Sequence, residues 1–172
     1  MPNWISNSVM LTHDDPIKLK ELADIFQSDR PFNTLIPQPD WPNTPASEDI
    51  RDTQGGIKAK KGELPTEKDV IELADGEKHT YWRWPSSGRA DERWYDWCRK
   101  HWGTKWDIHD VDVEHQVAKN MLILDFQTPW CPPDEIFHYL RKEKGYQFLT
   151  WEWSDECAPD EVGDLTDINW DD

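Results

Sequence analysis

An α+β fold, with two helices packed on one face of an antiparallel sheet, is the architecture this sequence predicts. Three observations predict it. Apolar residues recur at helical spacing after two acidic, proline-containing helix starts, Asp15-Pro16 and Pro132-Pro133-Asp134-Glu135. Segments that alternate with period two surround these helices, the plainest at 106–117. The third is an aromatic surplus, 12 Trp among 172 residues, in a chain only 36% hydrophobic. Each buried indole removes roughly 150–250 Å² from water, so a few of them can supply a core that the aliphatic residues cannot. A chain of this length is expected to form one domain.

The first element is a strand at 4–12, Trp-Ile-Ser-Asn-Ser-Val-Met-Leu-Thr. Asp15 then caps a helix and Pro16 takes its first position, where the missing N–H costs nothing. Leu19, Leu22, Ala23 and Phe26 follow at i, i+3, i+4 and i+7, one apolar face. Residues 30–65 carry Pro31, Pro37, Pro39, Pro42, Pro45 and Pro65 with the Gly55-Gly56 pair, which reads as a long irregular excursion. Phe32, Leu35, Ile36 and Trp41 are expected to tuck against the body. A short helix is predicted at 66–74, capped by Thr66, with Val70, Ile71, Leu73 and Ala74 as buried candidates.

Trp94, Trp97, Cys98 and Trp102 have helical spacing within 90–102, and Gly103 closes that helix because it tolerates the left-handed backbone. Trp106 opens the next strand. Along 106–117 the carboxylates Asp110, Asp112 and Glu114 share one face, while His109, Val111, Val113 and His115 share the other. A turn at 118–120 leads to Leu122, Leu124 and Phe126 on a partner strand, completing a hairpin. The second helix buries Ile136, Phe137 and Leu140 and ends at Gly145; residues 146–153 form the last strand. The order βαββαβ is the split βαβ of ferredoxin-like folds. Residues 1–153 are thus read as a single ferredoxin-like domain, with an antiparallel sheet, helices on one face, and an insertion at about 30–105 between the first helix and second strand. Residues 154–172 are read as an acidic, partly disordered tail.

Several fragments, in order along the chain, resemble the YubB-like proteins of phages, plasmids and genomic islands. They are Pro2-Asn3-Trp4 with Asn7, Phe32-Asn33-Thr34-Leu35-Ile36-Pro37, Tyr95-Asp96-Trp97, Trp102-Gly103-Thr104-Lys105-Trp106-Asp107, and Phe126-Gln127-Thr128-Pro129-Trp130-Cys131-Pro132-Pro133. The resemblance implies a ferredoxin-like α+β domain, a topology that entails no iron–sulfur cluster, and it carries over no catalytic residues. It also implies a further Gly- and aromatic-containing strand after residue 153, where this chain has Ser154-Asp155-Glu156-Cys157-Ala158-Pro159-Asp160-Glu161.

Formal charge is −16, from 35 acidic and 19 basic residues, and the last 22 residues hold nine of the acids with no Lys or Arg. Direct nucleic-acid binding needs a basic footprint, so it is not expected. A protein partner with a basic surface is expected instead. No apolar run approaches the ~20 residues of a membrane span, and Met1-Pro2-Asn3-Trp4 lacks the basic and apolar regions of a signal peptide. Cys98, Cys131 and Cys157 are an odd set without paired spacing, which argues against a disulfide framework. The expected compartment is bacterial host cytoplasm.

Each chemical constellation has a plainer reading beside it. His109, Asp110, Asp112, Glu114 and His115 are suitable metal ligands, but strand alternation sends carboxylates and imidazoles to opposite faces. Cys98 with His101 and Asp96 suggests nucleophilic catalysis, yet Cys98 lies among tryptophans, where a thiol is an inert hydrophobe. Cys131 stands at a helix start, where capping geometry accounts for it. Gly55-Gly56 with Lys58, Lys60 and Lys61 lacks the frame of a phosphate loop. The pairs Trp82/Trp84 and Trp151/Trp153 each place two indoles on one strand face, either core or interface anchor.

The expected function is therefore that of a non-enzymatic, cofactor-free accessory protein of a mobile element. It would bind a host protein, such as a defence or nucleic-acid-handling factor, through Trp151, Trp153, Asp110, Asp112, Glu114, Asp155, Glu156, Asp160 and Glu161. The alternatives are a small enzyme with a loop-covered site and an aromatic binder of single-stranded nucleic acid.

Overall fold

Residues 3–72 and 78–168 are described by a computed structural model. Elements follow the order β1 Trp4–Thr12, α1 Pro16–Phe26, α2 Pro31–Leu35, β2 Ile50–Arg51, β3 Ile57–Ala59, β4 Glu67–Glu72, β5 Lys78–Arg83, α3 Arg93–Trp102, β6 Asp112–Gln116, β7 Met121–Pro129, α4 Asp134–His138, β8 Gln147–Asp155 and β9 Val162–Asp164. The chain divides into two compact units, Met1–Pro37 with Trp97–Asp172, and Gln38–Asp96.

In the first unit the period-two pattern of β1 is expressed directly. Ile5, Asn7, Val9 and Leu11 are buried while Ser6 and Ser8 are exposed. β1 pairs antiparallel with β7 on one side and β8 on the other. The whole is a five-stranded sheet in the order β6-β7-β1-β8-β9. Asp15 accepts a hydrogen bond from Ile17 N and starts α1, whose Leu19, Leu22, Ala23 and Phe26 are all buried, as the spacing predicts. Phe26 lies 5.8 Å from Phe126, and Phe137 of α4 lies 5.6 Å from Trp151, between ring centroids. Both helices thus contribute to one core on the Val9–Leu124–Trp151 side of the sheet.

Several boundaries differ from the sequence expectation. The strand expected at 106–117 begins only at Asp112. Before it, Asp107 accepts hydrogen bonds from Phe32 N at 2.8 Å and Asn33 N at 2.9 Å, and Asp110 turns the chain with φ 53°. Trp106 is accordingly outside the strand and 38% exposed. Only Asp134–His138 is α-helical after the prolines; a π-helical turn, Tyr139–Glu143, continues it to Gly145 at φ +74°. The segment after residue 153 is also ordered up to 168. β8 runs to Asp155, Val162–Asp164 adds an edge strand containing Gly163, and Leu165 is 2% exposed. Residues 169–172 of the expected tail lie outside the described residues.

The Trp102–Asp107 hexapeptide is a joint. Trp102 is buried, and its Nε1 donates to Ile36 O at 3.0 Å. Gly103 takes φ +80°, and an added Cβ would meet Asp134 Oδ1 and lie 2.8 Å from Asp134 N. Thr104 Oγ1 donates to Pro129 O, and Cys131 Sγ donates back to Gly103 O. The glycine thus both ends α3 and lets the start of α4 approach.

The second unit corrects the expectation of an irregular excursion. It contains two hairpins, β2 with β3 and β4 with β5. At Gly55-Gly56 the Asp52 carboxylate accepts from Gln54 N and Gly56 N, so the pair makes a tight turn, not a loose loop. The helix predicted at 66–74 is strand β4 as far as Glu72; Leu73 and Ala74 lie outside the described residues. The β-branched Val70-Ile71 pair favours extended backbone, and β4 pairs with β5, which carries Tyr81 and Trp82. A small core of Ala46, Ala59 and Trp84, with Ile50 against it, anchors this unit. Arg93 forms a bidentate pair with buried Asp91, through Nε at 2.9 Å and Nη2 at 2.8 Å. Its guanidinium lies 5.0 Å from the Trp41 ring and 4.6 Å from the Trp84 ring. Trp84 is therefore core, whereas Trp82 is half-buried.

Candidate functional site

Directly paired residues of neighbouring strands share a sheet face. On the face opposite the helices, this rule assembles one row across all five strands. Asp112 pairs with Asp125, Asp125 with Ser8, Ser8 with Glu152, and Glu152 with Asp164. Strands lie about 4.8 Å apart, so the row spans roughly 19 Å. A second row, Gln127, Ser6, Ser154 and Val162, lies beside it and is uncharged.

A groove of about 1010 Å³ lies over these rows from Asp125 to Asp164, with Asp112 outside its lining. The 107–110 loop and the Leu165–Asp167 turn contribute to its walls, and Trp4 lines it as well. Six Asp or Glu residues line the groove, and among the described residues no Lys or Arg does. Asp112 and Asp125 face each other directly, an arrangement that costs stability because like charges repel at cross-strand distance. Among the described residues the side chains of Asp112, Asp125 and Glu152 form no hydrogen bond or ion pair.

Asp164 differs. Burial alone would raise its carboxyl, but hydrogen bonds from Thr166 Oγ1 at 2.6 Å, Thr166 N at 2.8 Å and Trp151 N at 3.0 Å outweigh it and hold the group below its ordinary value. It is a carboxylate that fastens β9 to β8.

The residues singled out from sequence fall in different environments. Trp151 is 0% exposed, and its Nε1 donates to Asn7 Oδ1 at 3.1 Å, so it is a core residue and no surface anchor. Trp153 shares its face, as Trp-x-Trp spacing predicts, and is half-buried against Gly163, where a Cβ would fall 2.7 Å from the indole Nε1. Asp155 and Glu156 serve the backbone. Asp155 accepts from Asn3 Nδ2, Cys157 N and Ala158 N, and Glu156 accepts from Trp4 N. Asp160 and Glu161 are exposed in the turn before β9. Asp112 and Glu114 do share the exposed face of β6; Asp110 lies outside the strand yet lines the groove.

Asp125, Glu152 and Ser8 were not singled out from sequence. Their signal was present: a lone carboxylate between Leu124 and Phe126, and another between Trp151 and Trp153, each at the outward position of an otherwise apolar strand. What the linear pattern lacks is the register that brings them into line.

Among the described residues no group of three His, Cys, Asp or Glu side chains is placed to hold a metal ion. Burial pushes the Cys98 thiol up to about 12, and burial with the nearby Asp134 carboxylate raises that of Cys131. Neither is poised as a thiolate nucleophile. The arrangement is suited instead to attracting and aligning cationic groups. Among the described residues no helix is long and apolar enough to cross a membrane. Comparison with protein-family models, curated proteins and solved structures returns no match to this chain.

Proposed function

We propose that this chain is a non-enzymatic accessory protein of a phage or other mobile element. It acts in the bacterial cytoplasm by binding a host protein through the acidic face of its sheet. The observation that carries this reading is the in-register row Asp112, Asp125, Ser8, Glu152 and Asp164, four of them exposed, beside a groove that no Lys or Arg lines among the described residues. Opposed carboxylates are unfavourable in the free protein, and a cationic partner relieves that repulsion. A defence or nucleic-acid-handling factor fits this description, because such factors carry basic surfaces.

The mobile-element setting rests on the YubB-like resemblance. The fold is an antiparallel five-stranded sheet with helices, and this reading takes it as a derivative of the ferredoxin-like plan, although the order β6-β7-β1-β8-β9 departs from that four-stranded fold. The same acidity argues against the rival reading as a single-strand nucleic-acid binder.

The test is a binding series against purified, folded basic proteins of the host, with wild type and the triple variant Asp112→Asn/Asp125→Asn/Glu152→Gln. Wild type is expected to retain a partner at low salt and release it as salt rises, and the variant to retain at least tenfold less, roughly the loss of two modest charge pairs. Equal retention by both proteins would remove the acidic face from the account. Tight oligonucleotide binding by wild type would favour the rival.

A further inference from the structure

Resting on that reading, we infer that the occupant of the sheet face is an extended, arginine-rich segment of the partner. Some of its guanidinium groups pair with Asp125 and Glu152, and another stacks on the indole of Trp4, four residues along β1 from Ser8. The carboxylates lie in one line perpendicular to the strands, spanning roughly 19 Å, a length that about five to six extended residues cover. A groove of about 1010 Å³ suits a peptide better than a single small cation.

The recognition chemistry favours arginine over lysine. Exposed carboxylate–ammonium pairs contribute little because both ions stay hydrated. A planar guanidinium can hold a carboxylate with two parallel hydrogen bonds and also lie flat on an indole. Trp4 supplies that indole at the groove, half-buried, with its backbone held by β1 pairing and by its main-chain N–H, which donates to Glu156 Oε1 at 3.1 Å. Ser6, Ser154 and Gln127 lie in the neighbouring row, where hydroxyl and amide groups can meet a peptide backbone. The chain uses the same combination for its own Arg93, between the Asp91 carboxylate and the rings of Trp41 and Trp84.

The experiment measures fluorescence anisotropy of labelled synthetic peptides, arginine-rich and lysine-rich of equal length and charge, against the full chain at low and moderate salt. The arginine peptide is expected to bind about fivefold tighter or more, the scale of one or two cation–π contacts. Asp125→Asn/Glu152→Gln is expected to weaken both peptides about tenfold, and Trp4→Leu to remove the preference for arginine. Asp125→Asn alone, at an exposed position, keeps the test valid if Trp4→Leu fails to fold. Equal affinity for both peptides would overturn the arginine assignment while leaving the basic-partner reading in place. Absence of peptide binding, with variant-sensitive retention of a folded basic protein, would overturn the extended segment alone. Absence of both would end the two readings together.

Discussion

Gly103 shows how much a single residue can settle. Its backbone angle is φ +80°, and the space beside it is filled by the first residues of α4. Any side chain there meets both a strained backbone and a steric clash. Gly103→Ala is expected to cost about 2–4 kcal/mol, read as a lowered midpoint in urea unfolding. At Arg93 the demand is chemical. Lysine can keep the charge but not the two-pronged bond to Asp91 or the stacking between Trp41 and Trp84. Arg93→Lys is expected to destabilise the Gln38–Asp96 unit by about 2 kcal/mol or more, detected as faster amide exchange within that unit. Trp151 illustrates a limit of residue-level reading. Its type and spacing suit an interface anchor as well as a core, and only burial decides between them.

At the scale of elements, β9 depends on a carboxylate. Asp164 accepts hydrogen bonds from Thr166 and from Trp151 N, and these hold its pKa down against the effect of burial. A depressed folded pKa contributes stability that is present above the unfolded value, near 3.9, and is lost as pH falls through the folded value. Asp164→Ala is therefore expected to lower stability by about 1–3 kcal/mol at pH 7, with the gap from wild type closing as the pH falls below about 4. Thermal unfolding of both proteins across pH 2–7 measures this, and a gap independent of pH would contradict it. The elements that were legible in sequence are those with strong local signals: β1, α1 with its Asp15 cap, and the strands bearing Leu122, Leu124 and Phe126 and the Trp-x-Trp pair. Apart from the Trp82/Trp84 alternation, the hairpins of the second unit were not legible, because their short, polar strands lack a hydrophobic period. Their stability comes from cross-strand pairing and from Asp52, Trp84 and Arg93, which are far apart in sequence.

For the whole molecule, the formal charge of −16 sets the long-range field and the uncovered sheet face gives it a place to act. Association with a basic partner is expected to accelerate as salt is lowered, because steering between opposite charges is screened within about 10 Å at 0.1 M. Stopped-flow association rates for wild type and for Asp112→Asn/Asp125→Asn/Glu152→Gln test this; the variant is expected to show a shallower salt dependence. The dissociation rate reports separately on the short-range contacts at Trp4 and the two carboxylates.

Composition and periodicity by themselves determined the α+β class, the helix starts, the apolar faces and the acidic character of the chain. Those properties depend on local backbone chemistry and on sums over residues, both readable along the chain. Tertiary structure alone decided that the chain forms two units, that the acidic segment after Trp153 supplies a fifth strand, and that Trp151 is interior. It also decided that Asp112, Asp125, Glu152 and Asp164 form one row. The physical reason is register. A slip of one residue sends every side chain to the opposite face, and the pairing that prevents it is set by packing between segments more than a hundred residues apart.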